Sequence, residues 1–193
     1  KDSPAQPVRW MVGRPKKKAT GDFRTQKIDG KWWLVDPEGY LFFSVGVSMA
    51  GHKSETPMNQ QRQDANFFAY VPGDDDYLRW SGRKKQGDKE FLHFPAMNYQ
   101  RALGKDWEEC SRDGIHNRMR AWGVNTLGAW SDEALQRDGR TPYTLIASIW
   151  WGRGYGTFPT PFEAGFEDQL RAALAKYSWA KDDPYCMGVF IGN

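Results

Sequence analysis

The pattern of apolar and polar positions predicts a run of antiparallel strands near the start of the chain. Two turn signals, Asp-Gly at residues 29–30 and Asp-Pro-Glu-Gly at residues 36–39, divide the segment 23–47 into stretches typical of a β-meander. The last stretch, residues 41–47, is apolar on both faces except at Ser44. This pattern is typical of a strand buried in a parallel sheet, so the segment is predicted to begin the core.

Helical and strand patterns then alternate along the rest of the chain. A helix is predicted over residues 106–122 and ends at Gly123, with four residues on its buried face: Trp107, Ile115, Met119 and Trp122. The same spacing predicts a second helix from Phe166 to Tyr177. Apolar runs predict buried strands at residues 124–130, 143–150 and 186–193. Ser131 is predicted to cap a brief helix after the first of these strands.

This alternation predicts an α/β fold in which right-handed crossovers build either a doubly wound sheet or a barrel. Between residues 50 and 105 no period persists, and the aromatic content of this long excursion favours an ordered, functional loop. No dinucleotide-binding glycine pattern opens a helix, because two prolines follow the glycines at residues 152–156.

Composition narrows the class of ligand. Aromatic residues make up 15% of the chain, with 10 Trp, and the mean hydropathy is −0.76. Most of the tryptophans are expected to pack in the core, but the excess favours a ring-lined cleft for a flat ligand such as a sugar, a base or a peptide. The net charge of +3 gives little reason to expect nucleic acid, and no apolar window is long enough for a membrane span.

The candidate site lies where the predicted parallel strands end. Its predicted lining is Ser48, His52, Trp130, Asp132, Trp150, Trp151, Arg153 and Asn193. Four of these have structural alternatives: Trp130 and Trp150 could pack under the long loop, His52 could anchor the excursion, and Asp132 could serve as helix-capping charge. The three histidines lack the spacing of metal ligands, neither cysteine has a neighbouring ligand, and no Gly-x-Ser-x-Gly elbow occurs. The sequence therefore predicts no metal or cofactor.

Four segments of the sequence resemble those of a known family. They are DGKWWLVDPEG at residues 29–39, NYQRALGKDW at 98–107, RAWGVNTLGAWSD at 120–132 and DPYCMGVFIGN at 183–193. In this order they resemble the β-agarases of glycoside hydrolase family 50 and their uncharacterised relatives, from about residue 22 to residue 193. These are clan A enzymes with a (β/α)8 barrel. The resemblance implies a lead and meander over residues 1–40, then the first four barrel strands over 41–193, with the excursion at 50–105 following the first strand.

The resemblance also implies where the catalytic groups lie. Strand four of this clan typically ends in Asn-Glu, and here Asn193 takes the place of the Asn. The acid/base Glu is expected directly after Asn193 and the nucleophilic Glu on strand seven, so this chain is expected to contain no catalytic carboxylate. A half-barrel would also leave two unpaired edges and an open apolar interior. The chain is therefore expected to need the remaining half, as a continuing or a companion chain.

The implied activity is retaining hydrolysis of a β-linked galactan of the agarose type by a secreted or periplasmic bacterial enzyme. Substrate contacts are expected from Asn193, Trp130, Trp150, Trp151, His52, Asp132 and Arg153. Gly192 departs from the family, which frequently has Asp at that position. Two alternatives stay open: a non-catalytic carbohydrate-binding barrel, and another clan A activity such as that of a β-galactosidase.

Overall fold

The computed structural model describes residues 17–52, 56–58, 84–86, 89–149, 161–162 and 164–191. The chain divides into two compact units, one formed by Lys1–Met49 with Met119–Asn193 and the other by Ala50–Arg118. Within the described ranges, no helix is both long enough and apolar enough to cross a membrane.

The predicted β-meander is confirmed. Strands β1 (Arg24–Ile28), β2 (Lys31–Val35) and β3 (Leu41–Phe42) form an antiparallel sheet in sequence order. The turn between the first two strands holds Asp29 and Gly30 at φ 48° and 78°. Positive φ at both positions suits the right-handed twist of a two-residue hairpin, which explains the Asp-Gly pair.

The prediction of one continuous strand over residues 41–47 is wrong. The segment divides into β3, which pairs with the meander, and β4 (Gly46–Val47), which belongs to a second sheet. Between them the backbone bonds to a side chain: Asn125 Oδ1 accepts the Val45 N–H at 2.8 Å, and Asn125 Nδ2 donates to the Phe43 carbonyl at 2.9 Å. The amide group thus pairs the backbone at the point where the chain changes sheets.

The unit Ala50–Arg118 contains a small antiparallel sheet followed by helices. Strands β5 (Thr56–Met58), β6 (Lys84–Gln86) and β7 (Lys89–Leu92) pair in the order β5-β7-β6. Helix α1 (Phe94–Leu103) and a 3-10 turn (Gly104–Asp106) lead into helix α2 (Trp107–Trp122), whose last four residues belong to the other unit. Buried apolar residues of this unit include Leu92, Ala96, Met97 and Trp107.

Helix α2 ends where the sequence predicts, at Gly123. The Val124 N–H donates to the Met119 carbonyl at 2.8 Å, and the Gly123 N–H donates to the Arg120 carbonyl at 3.2 Å. These two hydrogen bonds form a Schellman motif, which requires the positive φ of Gly123. Of the four residues predicted to be buried on this helix, three are, but Trp122 is 70% exposed. It is the last helical residue, and because the chain reverses at Gly123 it lies beyond the last buried turn.

A four-stranded parallel sheet follows. It contains β4, β8 (Thr126–Leu127), β9 (Tyr143–Ala147) and β10 (Cys186–Ile191), side by side in sequence order. Helix α3 (Glu133–Arg137) connects β8 to β9, and helix α4 (Phe166–Ala175) connects β9 to β10. The mixed α/β class and the alternation of strands and helices are confirmed.

One face of this sheet is more covered than the other. Along β9, Tyr143, Leu145 and Ala147 are buried, whereas the alternate residues Thr144 and Ile146 are half-buried. The prediction that the closing strand is buried on both faces is wrong: Phe190 is 57% exposed, and Val189 and Ile191 are also exposed. In the described part of the chain, β10 is an edge strand that pairs only with β9.

A polar and aromatic cluster closes the amino-terminal end of β9 and β10. The buried Tyr143 hydroxyl donates to Asp183 Oδ2 at 2.8 Å, and its ring stacks on Trp179 with centroids 5.7 Å apart. The Arg137 guanidinium lies 4.2 Å from the centroid of the Trp179 ring. These contacts tie the end of α3 to the segment that precedes β10.

Stability is expected to fall at alkaline pH because of this cluster. Burial first, and then the hydrogen bond to Asp183, raise the pKa of the Tyr143 phenol above its ordinary value of 10.0. Burial likewise raises the pKa of the Cys186 thiol. Because each folded pKa lies above the unfolded one, the unfolded state releases its protons first, and stability declines as pH rises above about 9.

The measurement is the urea midpoint between about pH 8 and 11. The midpoint should fall across this range and should fall less in the Tyr143→Phe variant, which has no phenol to titrate. An equal decline in both proteins would show that other groups are responsible.

Candidate functional site

The carboxyl ends of the four parallel strands form the edge at which α/β folds bind their ligands. The described residues there are Ser48 and Met49 after β4, the segment 128–132 after β8, and Ser148 and Ile149 after β9. Four of them are exposed to solvent at this edge: Ser48, Met49, Trp130 and Ser148.

The turns after β4 and β8 are joined by backbone hydrogen bonds. The Gly128 N–H donates to the Val47 carbonyl at 2.7 Å, and the Met49 N–H donates to the Ala129 carbonyl at 2.9 Å. A Cβ atom at Gly128 would lie 2.9 Å from Ser48 Oγ and from the Val47 carbonyl oxygen. Glycine is therefore required at this position, because only its backbone lets the two turns approach so closely.

Two residues with large side chains at this edge have a left-handed backbone conformation. Met49 and Trp130 both have φ 59°, and they are 67% and 53% exposed. For a residue with a Cβ, this conformation costs roughly 1–2 kcal/mol relative to ordinary backbone. Neither side chain is buried in the core, and such strain is concentrated at binding and catalytic sites.

Helix α3 begins immediately after Trp130. The Asp132 carbonyl accepts the N–H groups of Leu135 and Gln136, which makes Asp132 the N-cap residue, without a cap from its side chain. The prediction that Ser131 caps this helix is wrong. Its hydroxyl donates instead to the Gly128 carbonyl at 2.8 Å, because the helix starts one residue later and the serine closes the preceding turn.

A cavity of about 670 Å³ lies away from this edge, between α4 and strands β9 and β10. Its walls are mainly apolar, with contributions from Leu145, Leu170, Leu174 and Val189. A sugar ligand needs several polar partners for its hydroxyl groups. The cavity is therefore a poor sugar site, and the strand-end edge remains the candidate. Among the described residues no cluster of His, Cys, Asp or Glu is suited to hold a metal ion.

No model of a known protein family matches the sequence. Two curated proteins from Vibrio sp. (strain JT0107) do match it. β-Agarase B is 34% identical over 95% of this chain and 23% of its own length, and β-agarase A is 31% identical over 86% of this chain and 19% of its own length. The crystal structure of the agarase AgWH50C superposes with a TM-score of 0.77, at 31% identity over 94% of this chain and 30% of the agarase. This chain is a relative of the family 50 β-agarases.

A second solved agarase structure is also similar to this chain. An exo-β-agarase superposes on 93% of this agarase relative with a TM-score of 0.74 at 26% identity, and the match covers 32% of the exo-β-agarase. The chain spans about a fifth to a quarter of the length of the curated β-agarases it matches.

In this β-agarase relative, three of the seven predicted substrate contacts are described. Trp130 and Asp132 lie together in the segment after β8. His52 belongs to the unit Ala50–Arg118 and is only 4% exposed: its ring packs edge-on against Trp107 at 4.8 Å, and its Nδ1 lies 3.5 Å from Ser111 Oγ. These contacts favour the anchoring role, and a contact between His52 and sugar stays a prediction. The other four lie outside the described residues: Trp150, Trp151, Arg153 and Asn193.

Two residues that shape the parallel sheet are not predicted from the sequence. Asn125 is 3% exposed and bonds to the backbone where the chain passes from β3 to β4, at the amino-terminal end of the sheet, whereas Met49 lies at the carboxyl edge beside the turn that contains Trp130. A polar residue within the apolar run at 124–130 was the available signal for Asn125. No comparable signal marked Met49, because an isolated Met after a strand is ordinarily a core residue.

Proposed function

We propose that the chain forms part of the substrate cleft of a glycoside hydrolase that cleaves β-linked galactan of the agarose type. The observation that carries the proposal is the 34% identity to β-agarase B over 95% of this chain. The exposed indole of Trp130 at the carboxyl edge of the parallel sheet supports it, because a flat apolar face with a polar handle suits a sugar ring.

The proposal includes a (β/α)8 barrel as the complete architecture. Four parallel strands in sequential order, with helices in the connections, are the arrangement from which such a barrel is built. The exposed apolar residues of β10 support a fifth strand beside it, since an apolar edge of this kind is ordinarily paired or covered. The remaining strands would come from a continuing or a companion chain.

The proposed reaction is retaining double displacement. One carboxylate attacks the anomeric carbon while a carboxylic acid protonates the departing oxygen, and water then releases the sugar from the covalent intermediate as the second group accepts its proton. The two carboxyl groups must lie about 5–5.5 Å apart. We propose that a Glu directly after Asn193 supplies the acid/base, that a later strand supplies the nucleophile, and that Asn193 binds the hydroxyl beside the reacting carbon.

The remaining predicted contacts have distinct roles in this proposal. Trp130, Trp150 and Trp151 would stack on sugar rings, whereas Asp132, Arg153 and His52 would bind hydroxyl groups. The substrate is a polymer that cannot enter the cell intact. The protein is therefore proposed to act outside the cytoplasm, as a secreted or periplasmic enzyme.

A non-catalytic sugar-binding function is the second candidate. Among the described residues, the acidic groups near the carboxyl edge of the sheet are Asp132 and Glu133. Glu133 forms an ion pair with Arg137 at 2.7 Å on the surface of α3, so the described part of the edge holds no evident pair of catalytic carboxylates. Loss of either distal carboxylate would leave a cleft that binds sugar without cleaving it.

The deciding experiment is intact mass and peptide sequencing of the source protein past Asn193, followed by assay of the isolated protein on agarose oligosaccharides. A Glu after Asn193, together with hydrolysis that retains the anomeric configuration, is the expected result. Binding of oligosaccharide without hydrolysis would favour the second candidate. Absence of both binding and hydrolysis would contradict the agarase proposal.

A further inference from the structure

We propose that Met49 is a substrate-binding residue that forms one apolar platform with Trp130. The inference rests on the proposed function and adds to it a contact that neither the motif blocks nor the predicted site residues include. The ligand is the apolar face of a sugar ring in an agarose-type oligosaccharide, seated at the ends of β4 and β8.

The backbone places the two residues on neighbouring turns. The hydrogen bond from the Met49 N–H to the Ala129 carbonyl ends at the peptide that links Ala129 to Trp130. The bond from Gly128 to Val47 and the lack of space for a Cβ at Gly128 hold the same two turns together from the other side. Two independent contacts thus fix the separation of the Met49 and Trp130 backbones.

The presence of Met at position 49 is not explained by a contribution to folding stability. With φ 59° and 67% of the residue exposed, Met49 combines a strained backbone with an unburied apolar side chain. Glycine would adopt this backbone without strain, and a polar residue would suit the solvent better. Trp130 has the same φ and a similar exposure, so the same combination of features occurs twice on adjoining turns.

The chemistry of the pair suits a carbohydrate. An indole offers a flat face for one ring, and the flexible thioether of Met adapts to an irregular neighbouring surface such as the edge of that ring or the next sugar. A contiguous apolar strip of this kind, with the Ser48 hydroxyl beside it, matches a ligand that alternates C–H faces with hydroxyl groups.

The test measures binding of agarose oligosaccharides by isothermal titration to the complete polypeptide that carries this chain. Met49→Ala is expected to weaken affinity about five- to tenfold, and Met49→Leu, which keeps the apolar volume, to stay within about twofold. Met49→Gly should weaken binding as much as Met49→Ala does and change the thermal midpoint little, since relief of the backbone strain is opposed by the greater freedom of glycine in the unfolded chain. Trp122→Ala, which truncates an exposed apolar residue at the end of α2, is the control and should leave affinity within about twofold.

Two further readouts separate a binding role from a structural one. The Met49 methyl resonance, assigned from its loss in Met49→Leu, should shift when oligosaccharide is added. In a double-mutant cycle, Met49→Ala should cost less in the Trp130→Ala background than in the wild type, because the two residues share one ligand.

The outcomes distinguish this inference from the function on which it rests. Wild-type protein that binds oligosaccharide while Met49→Ala binds equally well, with an unmoved methyl resonance, would contradict the platform alone. Wild-type protein that binds no agarose oligosaccharide would contradict the proposed function, and the assignment of a sugar to Met49 would fall with it.

Discussion

Replacing Asn125 with Ala is expected to lower the free energy of unfolding by about 3 kcal/mol. The side chain accepts the Val45 N–H at 2.8 Å and the Thr126 hydroxyl at 3.0 Å, and it donates to the Phe43 carbonyl at 2.9 Å. Ala would leave these groups without those partners where the chain passes from the meander to the parallel sheet. Urea denaturation of the complete polypeptide that carries this chain gives the change in free energy.

Two variants make this prediction specific. Asn117 is exposed on α2, so Asn117→Ala should change stability by less than about 0.5 kcal/mol. Asn125→Asp keeps the shape but directs an oxygen at the Phe43 carbonyl. Only the protonated carboxyl can donate there, so its folded pKa is raised, and the stability of this variant should be greatest below about pH 4 and fall as pH rises. Equal losses for Asn117→Ala and Asn125→Ala would refute the assigned role.

Replacing Trp130 with Ala is expected to weaken the binding of agarose oligosaccharides about 30-fold, equivalent to about 2 kcal/mol. Trp130 is 53% exposed at the carboxyl edge of the sheet, and its indole is the large described aromatic surface after β8. The thermal midpoint should fall only moderately, because about half of the residue is exposed in the folded protein and Ala inherits the same strained backbone. Isothermal titration and kcat/KM on the complete polypeptide supply the measurement.

The matched control for this prediction is Trp122→Ala. Trp122 is 70% exposed and is the last residue of α2, near the start of β8 and not at its carboxyl end, so its removal should leave affinity within about twofold. Trp130→Phe keeps an aromatic face and should retain most of the binding. If both Ala variants weaken binding equally, the loss of affinity follows from removing any exposed Trp and does not show a sugar contact at Trp130.

The elements that sequence predicts well are those specified locally. The meander follows from two turn signals, and α2 and α4 follow from helical spacing within single windows. The break in the segment 41–47 could not be predicted in this way, because it depends on the amide of Asn125, which bonds to Val45 across 80 positions of sequence. Apolar patterning also shows which strands suit burial but not what covers them, which is why the exposure of Phe190 was missed.

In the candidate site, too, local features follow from the sequence and features that depend on distant contacts do not. A strand followed by helix-starting residues places Trp130 at the carboxyl edge from sequence alone. Its left-handed backbone and the neighbouring Met49 depend on how two turns more than 75 residues apart pair, which no local pattern encodes. His52 also follows a strand end, yet it packs against Trp107, because the excursion contains a hydrophobic interior of its own.

The excursion has an evolutionary consequence. The unit Ala50–Arg118 is inserted within a single crossover connection between two adjacent parallel strands. The entropic cost of closing a loop grows only with the logarithm of its length, so extending such a connection from about 15 to about 70 residues costs only about 1–1.5 kcal/mol. A module of this kind can be lengthened, shortened or exchanged at small entropic cost while strand order and register persist, so specificity could change there without a change in the sheet.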